Sequence, residues 1–293
     1  MIINKATEAD LSAIIALLKA NNLPVDDIKQ GKQQFLIAQK DEQTVGCIGI
    51  EIFGKDAILR SLAVDEKWRN KKIANCLYQK LLDDCWGNGI TRLFLLTNTA
   101  QGYFERLGWA IAKRSEVPAA VAASAEFAHL CPSTAVCMEL SLLPFWAQKT
   151  FESGFNCAQA SFTAFAVQNG IDRDAALSMT TGFGSGMVGR GETCGAITGS
   201  MLAIGLQAGR DKVDDIDARE TTNAMIKELY KQFTDKHGSI LCKELLELKD
   251  TSPESWQQVR DSNLFKTRCP HFVADAVAIA EGIILNNKQI CKC

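Results

Sequence analysis

The chain has 293 residues, 47% of them hydrophobic, enough apolar material for two ordinary domains with cores of their own. Its formal net charge is −2; residues 1–143 carry 16 Lys+Arg against 16 Asp+Glu and residues 144–293 carry 16 against 18, a balance that argues against a nucleic-acid partner for either half. MIINKATEADL reaches acids too early for an export leader, and Asp275 and Glu281 interrupt the apolar run FVADAVAIAEGIIL, so the expectation is a cytoplasmic chain with no membrane partner.

In chain order, IINKA reads as a short strand. Thr7 then caps a helix carrying Leu11, Ile14, Ile15 and Leu18 at helical spacing, with Glu8 and Asp10 in its first turn. FLIAQ, TVGCIGIEIF and AILRSLAV follow as a β-meander. After them come a helix from about Asn70 to Trp86, the strand RLFLLT, a helix from Ala100 to Leu107 and strands near WAIAKR and AVCMEL. This predicts an α/β domain over 1–143, with helices flanking a mixed, mainly antiparallel sheet. From Leu143 the alternation stops, and Pro144 is a plausible hinge. Residues 144–293 read as an all-α domain: a helix with Phe155, Phe162 and Phe165, one from Cys194 to about Leu206, one from about Asp214 to His237 and one carrying Phe272, Ala276, Ile279 and Ile283.

The segment SLAVDEKWRNKKIANCLYQKLL joins a strand end to an amphipathic helix through a loop bearing Arg69, Lys71 and Lys72. Backbone N–H groups at such a helix start suit a pyrophosphate. The segment resembles the acetyl-CoA loop of GNAT acetyltransferases, Arg/Gln-x-x-Gly-x-Gly/Ala. Arg69 and Ala74 match, while Lys72 stands where the central glycine usually sits. Gly46, the strand Leu62–Val64 and TAQGYFERLGW extend the likeness over the whole half. The strings ILRSLAV, LLTxTA and EVPAAVAASAEFAHLCPSTAVCMEL bring it closest to the arsenic-resistance branch of that family. The resemblance implies an N-acetyltransferase that uses acetyl-CoA on a small, amino-acid-like amine. Its cofactor would rest on Leu62, Ala63, Val64, Arg69, Asn70, Lys71, Lys72, Ile73 and Ala74.

Amine acetylation calls for a base, an oxyanion donor and an acid for the leaving thiolate. Glu51, at a strand end among apolar neighbours, is the candidate base, and a backbone N–H near Leu62 or Ala63 the oxyanion donor. Many GNAT enzymes place a tyrosine where this chain has Phe104, so the candidate acid is the adjacent Tyr103, which points about 100° away on a helix.

The chain has eleven cysteines, an odd number, which in a reducing compartment suggests reactive thiols or metal and metalloid ligands. Cys157, Cys194, Cys242 and Cys269 all fall at predicted helix starts, where the helix dipole favours thiolate. Together with the run Cys194-Gly195-Ala196-Ile197-Thr198-Gly199 they resemble the redox-active family named C_GCAxxG_C_C. Three readings stay open: a dithiol/disulfide pair, a soft metal or metalloid site, and buried structural cysteines. Cys291 and Cys293 form a further dithiol that could relay to the internal site or capture a metal. Gly184-x-Gly186-x-x-Gly189 has dinucleotide-fingerprint spacing but follows a helical segment, so its glycines are expected to let backbone pass close to the cysteines. His237 and His271 could tune a thiolate or sit at the surface.

The sequence therefore predicts a GNAT N-acetyltransferase with acetyl-CoA as cofactor, a small-molecule amine as partner and a possible homodimer, fused to a thiol module in metal or arsenic stress. The alternative is a catalytically weak GNAT-like binding protein that senses or sequesters a soft metal or metalloid through its cysteines.

Overall fold

The computed structural model describes residues 1–28, 32–41 and 43–290, the last three of these by backbone alone. By its contacts the chain divides into two compact units, Met1–Leu142 and Leu143–Cys293.

In the first unit β1 (Ile2–Lys5), α1 (Leu11–Ala20), β2 (Gln33–Lys40), β3 (Gln43–Phe53), β4 (Asp56–Val64), α2 (Ile73–Gly87), β5 (Arg92–Thr97), α3 (Gln101–Glu105), β6 (Ala110–Ile111), α4 (Ala119–Ala122) and β7 (Val136–Ser141) follow one another. The strands form one sheet in the order β1-β2-β3-β4-β5-β7-β6, antiparallel except for β4 with β5. A capping exchange at Thr7, whose N–H donates to Asp10 Oδ2 at 2.8 Å, starts the turn that leads into α1.

Alternation along β3 assigns the two faces of the sheet. Cys47 joins Ile14, Leu17 and Leu18 of α1 in one core with Phe35, Ile37 and Ala63. Gly46 faces the other way; a Cβ there would sit 3.1 Å from both Ile73 and Leu77, so its lack of a side chain lets α2 lie directly on the sheet. Glu51 shares the Cys47 parity and so lies on the α1 face.

Strand β4 is irregular along both of its edges. Cys47 pairs with Ala63 and Gly49 with Arg60, so Ser61 and Leu62 together oppose Ile48 in a bulge, with Ser61 at φ +56°. On its other side β4 pairs with β5 only over Asp56–Ile58 against Arg92–Phe94. Beyond that point the two parallel strands part, and the stretch from Leu59 to Val64 has no β5 partner.

The second unit is helical: α5 (Leu143–Glu152), α6 (Cys157–Ala166), α7 (Arg173–Met179), α8 (Gly184–Met187), α9 (Gly195–Ala208), α10 (Ile216–His237), α11 (Cys242–Leu245), α12 (Pro253–Asp261), α13 (Leu264–Thr267) and α14 (Cys269–Ile290). At its centre α6 packs on α9, and α14 lies against α5, α6, α9 and α10. The spacing of the CGAxxG run explains the close fit of α6 and α9. A Cβ on Gly195 would stand 2.4 Å from Cys157 Sγ, and one on Gly199 would stand 2.6 Å from the Ala158 carbonyl. One face of α9 therefore meets the start of α6 backbone to backbone. Residues 264–287 are long and apolar enough to cross a membrane, although half of the most apolar window is buried within the protein.

Between α7 and α9 the chain makes an unusual left-handed passage that runs through α8, whose Ser185 and Gly186 depart from right-handed helical geometry. Ser185, Gly186, Met187, Val188 and Gly189 have φ of +51°, +62°, +66°, +56° and +81°. Val188 is the costliest of these, because a β-branched side chain clashes with its own backbone in this region, and it is 80% exposed with little packing in return. Val188→Gly should raise the unfolding free energy by about 1 kcal/mol, measurable by urea titration. Unchanged or lowered stability would mean that the Val188 side chain makes up for the strain.

Candidate functional site

In the first unit the candidate cofactor loop is built from the β4 end through to α2. After Val64 the chain makes a short 3-10 turn over Glu66–Trp68, and Asn70 and Lys72 then both take φ +61°. Lys72 is the N-cap of α2, so the helix starts three residues later than the periodicity suggested. The lysine at the usual glycine position has adopted the left-handed conformation that glycine supplies at lower cost. The start of α2 carries no side-chain cap and no acid in its first turn, and its first intrahelical bond runs from Cys76 N–H to the Lys72 carbonyl at 3.0 Å. The N–H groups ahead of Cys76 thus have no intrahelical acceptor, the arrangement that receives an anion.

The basic side chains divide their roles. Arg69 donates from Nη2 to Asn21 Oδ1 at 2.8 Å and tethers the loop to the end of α1. Lys71 and Lys40 place their ammonium groups 4.3 and 4.7 Å from the Trp68 ring. Lys72→Gly should stabilise the fold by about 1 kcal/mol by relieving the left-handed residue while raising KM for acetyl-CoA through the lost cation. Parallel melting and steady-state assays would separate the two effects, and an unchanged KM would remove Lys72 from the cofactor site.

Glu51 lies in a buried charge cluster that sequence reasoning missed. Arg60 of β4 grips Asp27 with both guanidinium arms, Nη2 to Oδ1 at 2.9 Å and Nη1 to Oδ2 at 2.5 Å. Its Nη2 also lies 3.0 Å from Glu126 Oε2, and its Nη1 lies 3.7 Å from Glu51 Oε2. All four side chains are at most 8% exposed. Gly49 makes room for this arrangement, since a Cβ there would press on Phe35 at 2.9 Å and on Arg60 at 3.4 Å. Arg60 belongs to ILRSLAV and Glu126 to EVPAAVAASAEFAHLCPSTAVCMEL, so two of the three strings behind the arsenic-branch resemblance meet in one ion pair. A charged residue inside the apolar run ILRSLAV was the available signal.

The cluster sets three carboxyls against one guanidinium. Arg60 is held firmly charged, because its carboxylate partners outweigh the cost of its burial. Burial pushes the Glu51 carboxyl above the usual glutamate range, against the pull of Arg60, and Glu51 Oε2 has no hydrogen-bond partner among the described residues. A buried carboxyl with a raised pKa is suited to accept a proton from an ammonium group.

Tyr103 stands in a separate set of contacts. Its ring meets Phe104 edge-on at 5.2 Å, its buried Oη has no hydrogen-bond partner among the described residues, and burial raises its pKa. It therefore keeps a proton that it could donate. Nearby Tyr78 of α2, buried and accepting a bond from Trp109 Nε1 at 3.0 Å, is a second phenol that the sequence did not bring forward.

In the second unit Cys157, Cys242 and Cys269 are the first residues of α6, α11 and α14, and Cys194 is the N-cap of α9. The four line one cavity of about 120 Å³, together with Phe151, Asn156, Ser185, Leu245, Leu246, Phe265 and Phe272. All four are free and buried. The expectation that each helix start would favour a thiolate holds at one position. The Cys157 thiol is held below the ordinary thiol range, chiefly by a hydrogen bond from Cys194 and against the cost of burial, with further support from the N–H groups of Ser185, Cys157 and Ala158. Cys194, the donor, is raised well above the ordinary thiol range; burial pushes Cys242 up to about 12 and also raises Cys269. The reason is electrostatic. Among the described residues no Asp, Glu, Lys, Arg or His lines the cavity, so one thiolate is held by N–H and S–H donors and a second would meet both burial and repulsion.

Among the described residues no group of three or more His, Cys, Asp or Glu side chains is placed to hold a metal ion. The four thiols line the walls of the cavity without closing on a point. His237 does not serve a thiolate; its Nε2 lies 3.0 Å from Asp275 Oδ2, and its ring packs against Phe233 and Phe272. His271 is exposed. Cys291 and Cys293 lie outside the described residues. The glycine passage is no dinucleotide loop, since helical turns precede it. It brings Ser185 to Cys157, and a Cβ at Gly186 would stand 2.8 Å from Cys242 Cβ.

A family profile described as "Acetyltransferase (GNAT) domain" matches residues 31–111, and one described as "Putative redox-active protein (C_GCAxxG_C_C)" matches residues 155–283. An uncharacterized N-acetyltransferase, CT2212, of Chlorobaculum tepidum is 29% identical over 120 residues, spanning 41% of this chain and 75% of that protein. YwlB of Bacillus subtilis, also uncharacterized, is 32% identical over 95 residues, spanning 32% of this chain and 64% of its own length. Among solved structures, Rv2747 of Mycobacterium tuberculosis in complex with CoA and NLQ is 20% identical, covering 48% of this chain and 99% of that one at a TM-score of 0.42. N-acetylglutamate synthase of Neisseria gonorrhoeae, complexed with coenzyme A and L-arginine, is 19% identical at a TM-score of 0.40; the match covers 48% of this chain and 32% of that one. The chain is an enzyme that carries a GNAT acetyltransferase domain in its first unit and a C_GCAxxG_C_C domain in its second.

Proposed function

We propose that the chain transfers the acetyl group of acetyl-CoA to the amine of a small, amino-acid-like acceptor, and that its second unit is a thiol redox module acting in the same metal or arsenic stress. The observation that carries the first part is the parting of β4 from β5 beside an uncapped α2 start. Free backbone groups from Leu62 to Val64 suit the pantetheine arm, and the N–H groups of Asn70 to Ala74 with Lys72 suit the pyrophosphate. Glu51 takes the ammonium proton, and the amine then attacks the thioester carbonyl. A backbone N–H near the Ser61–Leu62 bulge steadies the oxyanion, and Tyr103 returns a proton to the departing thiolate. The stress setting rests on the two strings that meet at Arg60 and Glu126, and a cytoplasmic location goes with free thiols.

The test is CoA release by the full chain with acetyl-CoA and a panel of amino acids that includes phosphinothricin. Turnover with an amino-acid-like amine, abolished when its amino group is blocked, is the expected result. Absence of turnover across the panel, with tight binding of arsenite or zinc, would favour a binding protein instead.

A further inference from the structure

Among the described residues the cavity of the second unit is lined mainly by apolar side chains and thiols and by no charged group apart from the Cys157 thiolate, and its position decides what can reach that thiol. Asn156, Ser185 and Phe265 line both this cavity and a larger open groove bounded by Gly182, Val188, Trp256 and Arg260. The groove adjoins the cavity on the side of Cys157, and the left-handed passage forms one of its walls. Trp256 donates from Nε1 to the Gly189 carbonyl at 2.9 Å and stacks on Phe265 at 6.1 Å, which fixes the passage beside the thiols. A space of about 120 Å³ admits one small arm of a molecule and rejects a folded chain or a bulky charged peptide.

We propose that Cys157 is the attacking thiol and Cys194 the resolving thiol in exchange with a small, uncharged disulfide that reaches the cavity through this groove. The assignment rests on the redox reading of the second unit. Cys157 Sγ attacks one sulfur of R–S–S–R, a Cys157–S–S–R bond forms, the original S–S bond breaks, and RS⁻ leaves and takes a proton from water. That step removes the negative charge from Cys157 Sγ. It also ends the hydrogen bond that holds the Cys194 proton, which with the repulsion from Cys157 disfavours a Cys194 thiolate. Cys194 is the N-cap of α9, where the Ala196 N–H supports a thiolate. Its sulfur then attacks Cys157 Sγ, its proton passes to the second RS⁻, and a Cys157–Cys194 disulfide remains. Per chain, two thiols are oxidised and one disulfide is reduced to two RSH; a small external dithiol restores the pair. Attack by Cys157 thus activates Cys194, and the groove, whose shared residues Asn156 and Ser185 flank Cys157, sets which of the two is met first.

The test uses the full chain with Cys291→Ser and Cys293→Ser, reduced and then treated with 2-hydroxyethyl disulfide, glutathione disulfide or hydrogen peroxide, followed by peptide mass mapping. The expected result is a Cys157–Cys194 disulfide with 2-hydroxyethyl disulfide, faster than with glutathione disulfide. Cys194→Ser should trap the mixed disulfide on Cys157, and Cys157→Ser should release thiol no faster than the uncatalysed background. Trapping in Cys194→Ser keeps the test valid even if Cys157→Ser fails to fold. An adduct on Cys242 or Cys269, a disulfide between other cysteines, or oxidation by peroxide alone would overturn the assignment and leave a redox module standing. A thiol count unchanged by all three oxidants would overturn the redox reading as well.

Discussion

Arg60→Met is expected to cost about 3–5 kcal/mol of stability at pH 8, because it leaves Asp27, Glu51 and Glu126 buried without their shared cation. Methionine keeps most of the volume, so the loss is electrostatic and not a cavity effect. Its pH dependence follows from the sign. Without Arg60 the buried carboxyls have folded pKa values above their unfolded ones, so stability is retained where they are protonated and is lost as pH rises. The deficit against the parent should therefore shrink toward pH 5. Arg60→Lys keeps the charge but cannot grip Asp27 with two parallel bonds and still reach Glu126, so it should recover only part of the loss. Adding Asp27→Asn and Glu126→Gln to Arg60→Met should restore stability beyond additivity. Urea titration at pH 5 and pH 8 reads all of these. A deficit below about 1 kcal/mol, or one independent of pH, would show that the cluster is open to solvent and not the buried network described.

Features written in neighbouring residues were legible in the sequence. Asn156 and Gln159 cap each other across the start of α6, which is why a helix could be placed at Cys157. Pro270 in the first turn of α14 marked Cys269 in the same way. The mixed sheet followed from the strand alternation. The charge cluster was not legible, because Asp27, Glu51, Arg60 and Glu126 come from four separate segments and meet only through tertiary packing. The acidity of the thiols departs from the sequence expectation at three positions for a related reason. A helix start is a local feature, whereas burial in a shared cavity and repulsion from a neighbouring thiolate are not. The strained passage from Ser185 to Gly189 was visible only as a run of glycines, since nothing local shows that Val188 would be forced left-handed with them.

Glu51→Gln offers the sharpest separation of chemistry from structure. If Glu51 takes the proton from the acceptor, the amide should lower kcat/KM by about 10²–10⁴-fold at neutral pH and leave KM for acetyl-CoA unchanged. An acceptor amine of lower pKa, already neutral in solution, should regain part of the activity. Stability should move in the opposite direction. Burial raises the Glu51 pKa in the fold, so its contribution to stability is full below the ordinary glutamate range and declines as pH rises through the folded value. Glutamine never ionises, so the variant should match the parent near pH 4 and exceed it at pH 8. A purely structural Glu51, serving mainly as a partner for Arg60, predicts the reverse at pH 8, since removing its charge would weaken the pair at 3.7 Å. Lost activity with raised stability at pH 8 thus identifies a base whose ionisation is carried at a cost by the fold. Lost activity with lowered stability would assign Glu51 to the support of Arg60 and send the search for a base to Asp27 or Glu126, which share its cluster.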